Sequence, residues 1–372
     1  MSRIIKPGQT IGIIGGGQLG RMMAIAAKQM GYRIAVLEPS PDSPCGQVAD
    51  YVIEAAYDDR QAAKELAKIS DVITYEFENI DSETATWLTE EADFPQGANV
   101  LRFTQHRLLE KETIQSVGIP VAPFYAVHSI EDVENAANEI GFPAVLKTCR
   151  GGYDGKGQRV VKDISQLAEA AKELLEQSEC VLEAWIPFQL ELSVIVTRSR
   201  NGETAVFPVA ENEHKENILH RSYVPARVKD EVIEEAKRIA LTLVTELDVV
   251  GTLAVELFML EDGRLYVNEL APRPHNSGHY SIEACVTSQF EQHVRAVCGL
   301  PLGSTDLLRT VIMENILGEH VEPIMNQLLN LHDVKLHLYG KSEVKAKRKM
   351  GHLTVTAKSL EEAEKKLERL MN

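Results

Sequence analysis

A chain of 372 residues has room for two or three packed units, and 44% hydrophobic with 25% charged residues describes an ordinary soluble globular protein. The formal net charge of −16 argues against a general nucleic-acid or acidic-membrane surface, so an anionic ligand has to be held by local clusters of Lys, Arg and backbone N–H groups. Five scattered cysteines without a CxxC pair read as reduced thiols of a cytoplasmic protein. The apolar run Ile11 to Ile14 is too short for a signal peptide, and no run is long enough for a membrane span.

The first hundred residues alternate strand and helix. TIGIIG predicts a buried strand, LGRMMAIAAKQMG a helix ended by Gly31, RIAVLEP and YVIEA two more strands, DRQAAKELAKI a helix and DVITYEF a fourth strand. That order predicts an α/β unit with a doubly wound parallel sheet over residues 1–110. A polar helix around Thr104–Val117 leads to two prolines that mark a boundary. A smaller α+β unit is expected over 111–182, with ECVLEAWIP as a strand leaving it. A larger, mostly stranded unit around the helix DEVIEEAKRIALTLVTEL is expected over 183–372.

Three motifs carry chemistry. Gly15, Gly17 and Gly20 satisfy GxGxxG between a strand and a helix, with Glu38 placed where a dinucleotide fold has its ribose-binding acid. Backbone N–H groups at a helix N-terminus bind any phosphate, so NAD, another phosphate ligand and a purely structural turn all remain open at this point. Next, AVLKTCRGGYDGKGQRVV places Lys147 within a strand, followed by Gly151, Gly152, Gly155, Gly157 and Lys156. A hairpin of this kind folds its tip over polyphosphate, although the Walker pattern GxxxxGK[ST] is absent. Third, a tight Asp262-Gly263 turn closed without a bulge sets Glu256 directly opposite Glu269, with Asn268 alongside. Two opposed carboxylates repel unless something neutralises them, and a hard divalent cation carrying bound phosphates does so.

Lysine strand, glycine loop, the VLEAWIP segment and two carboxylates together resemble the ATP-grasp enzymes. GGGQLGRM, YEFEN, GGYDGKGQ, NELAPRPHNSGH and RKMGH further resemble the N5-carboxyaminoimidazole ribonucleotide synthetase family over essentially the whole chain. The resemblance implies an ATP-grasp fold: a Rossmann-like pre-ATP-grasp domain (1–110), a lid (111–182) and a catalytic and C-terminal domain (183–372). It implies a ligase that carboxylates 5-aminoimidazole ribonucleotide with ATP and bicarbonate in purine biosynthesis, as a cytoplasmic homodimer that binds neither nucleic acid nor membrane. By motif, Arg107, Lys147 and Gly152, Tyr153, Asp154, Gly155, Lys156, Gly157 and Gln158 would hold the ATP phosphates. Glu183, Ala184, Trp185 and Ile186 would line the adenine slot, Glu191 and His214 would meet the ribose, and Asn268 and Glu269 would complete the nucleotide site. Glu256 and Glu269 would bind magnesium, with manganese as a substitute.

Arg273, His275, Asn276 and Ser277 would form the bicarbonate site, with Asp154, Lys156 or His275 near the protons that move. Gly17, Gln18, Leu19, Glu76, Tyr153, Lys341 and Arg348 would hold the ribonucleotide, while the other lysines of the Lys345–Lys349 cluster are expected to be solvated. Two other enzyme readings stand beside this one: a relative that activates formate or another carboxylate, and an NAD(P)-dependent oxidoreductase. The latter leaves the carboxylate pair and the glycine loop unexplained, and a non-catalytic nucleotide-binding module leaves even more.

Overall fold

The structure is a computed structural model that describes residues 3–152 and 156–371. Its first sheet is wholly parallel. Strands β1 (Thr10–Ile14), β2 (Arg33–Leu37), β3 (Tyr51–Ile53) and β4 (Val72–Tyr75) take the order β3-β2-β1-β4, with helices α1 (Gln18–Gln29) and α2 (Arg60–Ile69) as crossovers. Strand order reverses at β1, and that switch point opens a crevice at the carboxyl ends of β1 and β4. Helix α3 (Ser82–Glu91) was not foreseen, and the polar stretch expected as one helix is two. Helix α4 (Gly97–Thr104) and helix α5 (Arg107–Ser116) are separated because His106 turns extended and caps α5, its side chain accepting from the Leu109 N–H.

The small sheet contains β5 (Phe124–Val127), β6 (Ala144–Thr148), β7 (Gln158–Val161) and β8 (Cys180–Ala184) in the order β5-β8-β6-β7, backed by α6 (Val133–Ile140) and α7 (Ile164–Leu174). Strand β8, expected to leave this unit, lies inside its sheet between β5 and β6 through Ala184. Its alternating buried Cys180 and Leu182 join the core of that unit, which explains why it stays.

A nine-stranded sheet forms the rest: β9 (Leu190–Arg198), β10 (Thr204–Val206), β11 (Ala210–Lys215), β12 (Ile218–Val224), β13 (Gly251–Met259), β14 (Leu265–Ala271), β15 (Thr310–Leu317), β16 (Val334–Leu338) and β17 (Lys349–Ala357). Helix α8 (Asp230–Glu246) packs its apolar stripe on β9 and β13, burying Ala236, Ile239, Leu243 and Val244. The short α9 (Ser281–Ala284), then α10 (Gln289–Val297), α11 (Val321–Met325) and α12 (Leu360–Met371) complete the chain. Among the described residues, no helix is long and apolar enough to cross a membrane, and all five cysteines are free and buried.

The β13–β14 hairpin reaches its expected register by an unexpected route. The connection has three residues, closed by Leu260 N–H to the Arg264 carbonyl at 2.9 Å with Gly263 at φ +85°, so Leu257 faces Val267. Asn268 is then an extra residue without a partner, and past it Glu256 faces Glu269. The bulge turns two successive side chains, Asn268 and Glu269, to one face while Val267 and Leu270 both remain in the core.

Candidate active site

One cavity of about 800 Å³ opens where the parallel sheet, the small sheet and the β13–β14 hairpin meet. One side of it is built on charge. Lys147 from β6 donates to Glu183 Oε2 at 3.0 Å, and Lys111 from α5 lies 3.1 Å from the same oxygen. All three side chains are buried. Burial opposes ionisation of Glu183, but the Lys111, Lys147 and Arg107 charges outweigh it and hold the carboxyl down at about 2. Burial, with the Lys111 and Arg107 charges, pushes Lys147 below its ordinary value. Among the described residues, Glu183 Oε1 is buried with no hydrogen-bond partner, an acceptor suited to an exocyclic amine in a base slot. Ala184, Trp185 and Ile186 continue the wall, and Phe188 stacks on Phe258 at 4.5 Å and 7°. Glu191 and His214 are paired nearby, and this pairing raises the His214 pKa against the effect of burial.

Arg107 ties the glycine loop to the hairpin: its guanidinium donates to the Gly152 carbonyl at 3.2 Å and lies 3.5 Å from Glu269 Oε2. Gln158 lines the cavity, whereas Lys156 and Gly157 do not. Tyr153, Asp154 and Gly155 lie outside the described residues. Burial and the like charge of Glu269 raise the Glu256 carboxyl well above its usual range, so the pair attracts a proton or a cation. With Asn268 beside them, the two carboxylates fit a hard divalent ion. Among the described residues, no group of three His, Cys, Asp or Glu forms a complete cage, so phosphate oxygens or water would have to finish the coordination shell, as magnesium prefers.

The PRPHNSGH segment sits at the junction. Arg273 was expected on an anion, but its guanidinium is held by Glu78, with Nε to Oε2 at 2.5 Å and Nη2 to Oε1 at 3.1 Å. Burial opposes the Glu78 charge, and Arg273 still holds that carboxyl below its ordinary value. His275 is fixed through its backbone by buried Gln289, which accepts from its N–H at 2.9 Å and donates to its carbonyl at 2.8 Å. Its Nε2 lies 3.3 Å from Glu256 Oε1. Burial, then the Arg273 and Lys349 charges, keep its imidazole neutral, well below the usual range. Asn276 exchanges paired amide hydrogen bonds with Asn315 at 3.0 and 2.7 Å, and Ser277 lies behind it, away from the cavity.

At the N-terminal turn, Glu76 accepts from the N–H groups of Gly17 and Gly20, while Glu38 accepts from Gly16 at 2.7 Å and from Tyr57. A Cβ at Gly17 would strike the Glu76 carboxylate and one at Gly16 the Glu38 methylenes, so the glycines answer to the protein's own acids. The NAD reading loses its acid, because Glu38 does not line the cavity and holds the Gly16 N–H and the Tyr57 hydroxyl instead. Gln18, Leu19 and Glu76 line the cavity; Gly17 is behind them. Lys341 donates to the Lys349 carbonyl at 2.6 Å. Arg348 is exposed and donates to the Glu343 carbonyl at 2.9 Å. Lys349, expected to be solvated, is the cluster member that lines the cavity, whereas Lys345 and Lys347 pair with the exposed Glu343 and Glu216. Sequence reasoning missed Glu78, Glu110, Lys111, Gln289 and Asn315. Only Glu78 carried a signal, as the second acid of YEFEN.

Models for three families match in tandem: a ribonucleotide synthetase preATP-grasp domain over residues 8–105, an ATP-grasp domain over 112–290, and a phosphoribosylaminoimidazole carboxylase C-terminal domain over 311–366. A Bacillus subtilis protein named N5-carboxyaminoimidazole ribonucleotide synthase is 57% identical over 352 residues, 95% of this chain and 92% of the relative. A solved N5-carboxyaminoimidazole ribonucleotide synthetase in complex with ADP superposes with a TM-score of 0.96 at 56% identity, covering 100% of this chain and 98% of the other. The Aspergillus clavatus synthase solved with ADP and 5-aminoimidazole ribonucleotide superposes with a TM-score of 0.91 at 32% identity, covering 98% and 97%. The match runs through all three units and through the hairpin that carries the opposed carboxylates, and the chain therefore belongs to the N5-carboxyaminoimidazole ribonucleotide synthase family.

Proposed function

We propose that this chain is a carbon–nitrogen ligase that joins bicarbonate to the exocyclic amine of 5-aminoimidazole ribonucleotide at the expense of ATP. The observation that carries the reading is the single cavity in which Lys147, the opposed Glu256 and Glu269, and Glu76 of the N-terminal unit all meet. A bicarbonate oxygen attacks the γ-phosphorus, the bond to the β-bridging oxygen breaks, and ADP leaves with carboxyphosphate formed. Arg107 and Lys147 neutralise charge growing on the transferring group. Magnesium or manganese on Glu256, Glu269 and Asn268 would add charge neutralisation and alignment when bound. The amine nitrogen then attacks the carboxyl carbon, the carbon–oxygen bond to phosphate breaks, and the amine gives up one proton. Carboxyphosphate hydrolyses readily, so the β6–β7 loop has to exclude water.

Glu76 offers acceptors for ribose hydroxyls, and Lys341 a cation for the 5′-phosphate. Arg273 acts through Glu78 to hold the two units in register, and His275 and Asn276 face the carboxyl group. The buried free thiols suit the reducing cytoplasm, and a homodimer is the expected assembly, to be checked by sedimentation. The function is tested by ADP release from Mg·ATP and bicarbonate with and without the ribonucleotide. Release that needs both co-substrates is the expected result. ADP release indifferent to the ribonucleotide would move the acceptor to another amine.

A further inference from the structure

We infer that His275 is locked in one tautomer, with its proton on Nε2, by a buried relay of Ser222, Asn212, Ser193 and Ser277, which makes Ser193 and Asn212 positioning residues. The direction of each bond follows from what the groups can do. The Asn212 amide nitrogen only donates, and it donates to Ser193 Oγ at 2.9 Å, while Asn212 Oδ1 accepts the Ser222 hydroxyl at 2.7 Å. Having accepted, Ser193 sends its one hydrogen to Ser277 Oγ at 2.8 Å. The Ser277 hydroxyl then has His275 Nδ1 as its partner at 2.9 Å, and the Ser277 backbone N–H meets the same nitrogen at 3.4 Å. Two donors converge on Nδ1, so that atom carries the lone pair and the proton sits on Nε2.

The relay crosses one face of the large sheet. Ser193 stands beside Glu256 in the β9–β13 register, and Asn212 beside Ser222 in the β11–β12 register. Ser193, Ser222 and Ser277 are at most 1% exposed and Asn212 8%, so these polar groups are satisfied by one another, and the last of them ends on His275. The consequence is chemical. Toward Glu256 and the cavity, His275 presents a hydrogen-bond donor to an anionic oxygen and has no lone pair there to accept a proton. This rests on the proposed carboxylation, in which that oxygen belongs to bicarbonate or the carboxyl phosphate.

The test is ¹⁵N-histidine NMR on the full chain, with the His275 signals identified by their absence in His275→Gln. The expected spectrum shows Nδ1 unprotonated and Nε2 protonated. Asn212→Asp is isosteric but cannot donate; it forces Ser193 to turn back, reverses the relay and moves the His275 proton to Nδ1. Ser193→Ala cuts the relay and gives a mixture of tautomers. Both variants should raise the bicarbonate KM by ~5-fold or more, with the ATP KM unchanged. A proton on Nδ1 in the parent, or a tautomer indifferent to both variants, overturns the relay. A tautomer that inverts without any change in bicarbonate kinetics overturns the positioning role. Loss of ribonucleotide-dependent ADP release in the parent would instead overturn the carboxylation reading, and the NMR result would still stand.

Discussion

Lys341 shows how one half-buried charge would set a working range. Burial, then the neighbouring Arg348 and Lys349 charges, push its pKa down to about 8 against the pull of Glu76. A phosphate group binds the ammonium form, so affinity is present below that value and declines as pH rises through it. The KM for the ribonucleotide should therefore climb above pH 8 while the KM for ATP stays level, as initial rates at several pH values would show. Lys341→Arg should flatten the rise, because guanidinium stays charged throughout. A ribonucleotide KM indifferent to pH in this range would remove Lys341 from the phosphate site. Lys111 makes a different point: it gives Glu183 a second counter-charge, so the carboxylate would keep a partner were Lys147 to turn to a phosphate as proposed.

At the scale of elements, the hairpin bulge decides what the carboxylate pair can do. Deleting Asn268 would make the ladder regular, still pairing Leu257 with Val267 and Glu256 with Glu269. The variant should fold with an unchanged thermal midpoint and lose more ATP turnover than Asn268→Ala, because it also re-aims Glu269. Equal losses would mean that only the Asn268 amide matters. This hairpin also marks the limit of what the sequence discloses. Asp262-Gly263 signalled a turn, and the opposed glutamates were legible, but the three-residue connection and the bulge are two deviations that cancel. Strand β8 reads as an exit in the sequence, whereas its place is fixed by β5 and β6, which pair with it from far along the chain.

The whole molecule is tied together by buried polar links across units. Gln96 donates to the Pro272 carbonyl at 3.1 Å, Thr74 meets His293 at 2.8 Å, and Glu78 grips Arg273. None of these pairs has a sequence pattern, since each joins elements about 170 or more residues apart, except that Glu78 falls in a motif. Glu110 is such a link, accepting the Leu270 N–H at 2.8 Å from α5. Burial and the Glu269 charge raise its carboxyl to about 8. A raised acid stabilises the fold fully below its unfolded value of ~4.3, and that contribution is lost as pH rises through about 8. Glu110→Gln imitates the protonated form. Its urea midpoint in chelator should match the parent's near pH 4 and exceed it by a margin that grows up to about pH 8. A constant difference across that range would show that Glu110 does not titrate there.

The chain contains two tryptophans, and they have very different neighbours. Trp87 packs against the core of the N-terminal unit, while Trp185 is 43% exposed in the wall of the central cavity, where the proposed adenine slot lies. Indole emission responds to solvent and to a stacked base, so the protein carries its own optical reporter of occupancy. Titration with ADP should quench or blue-shift the fluorescence of the parent and of Trp87→Phe alike, with no change in Trp185→Phe. That signal would give nucleotide affinity without turnover, and so without any assumption about the acceptor.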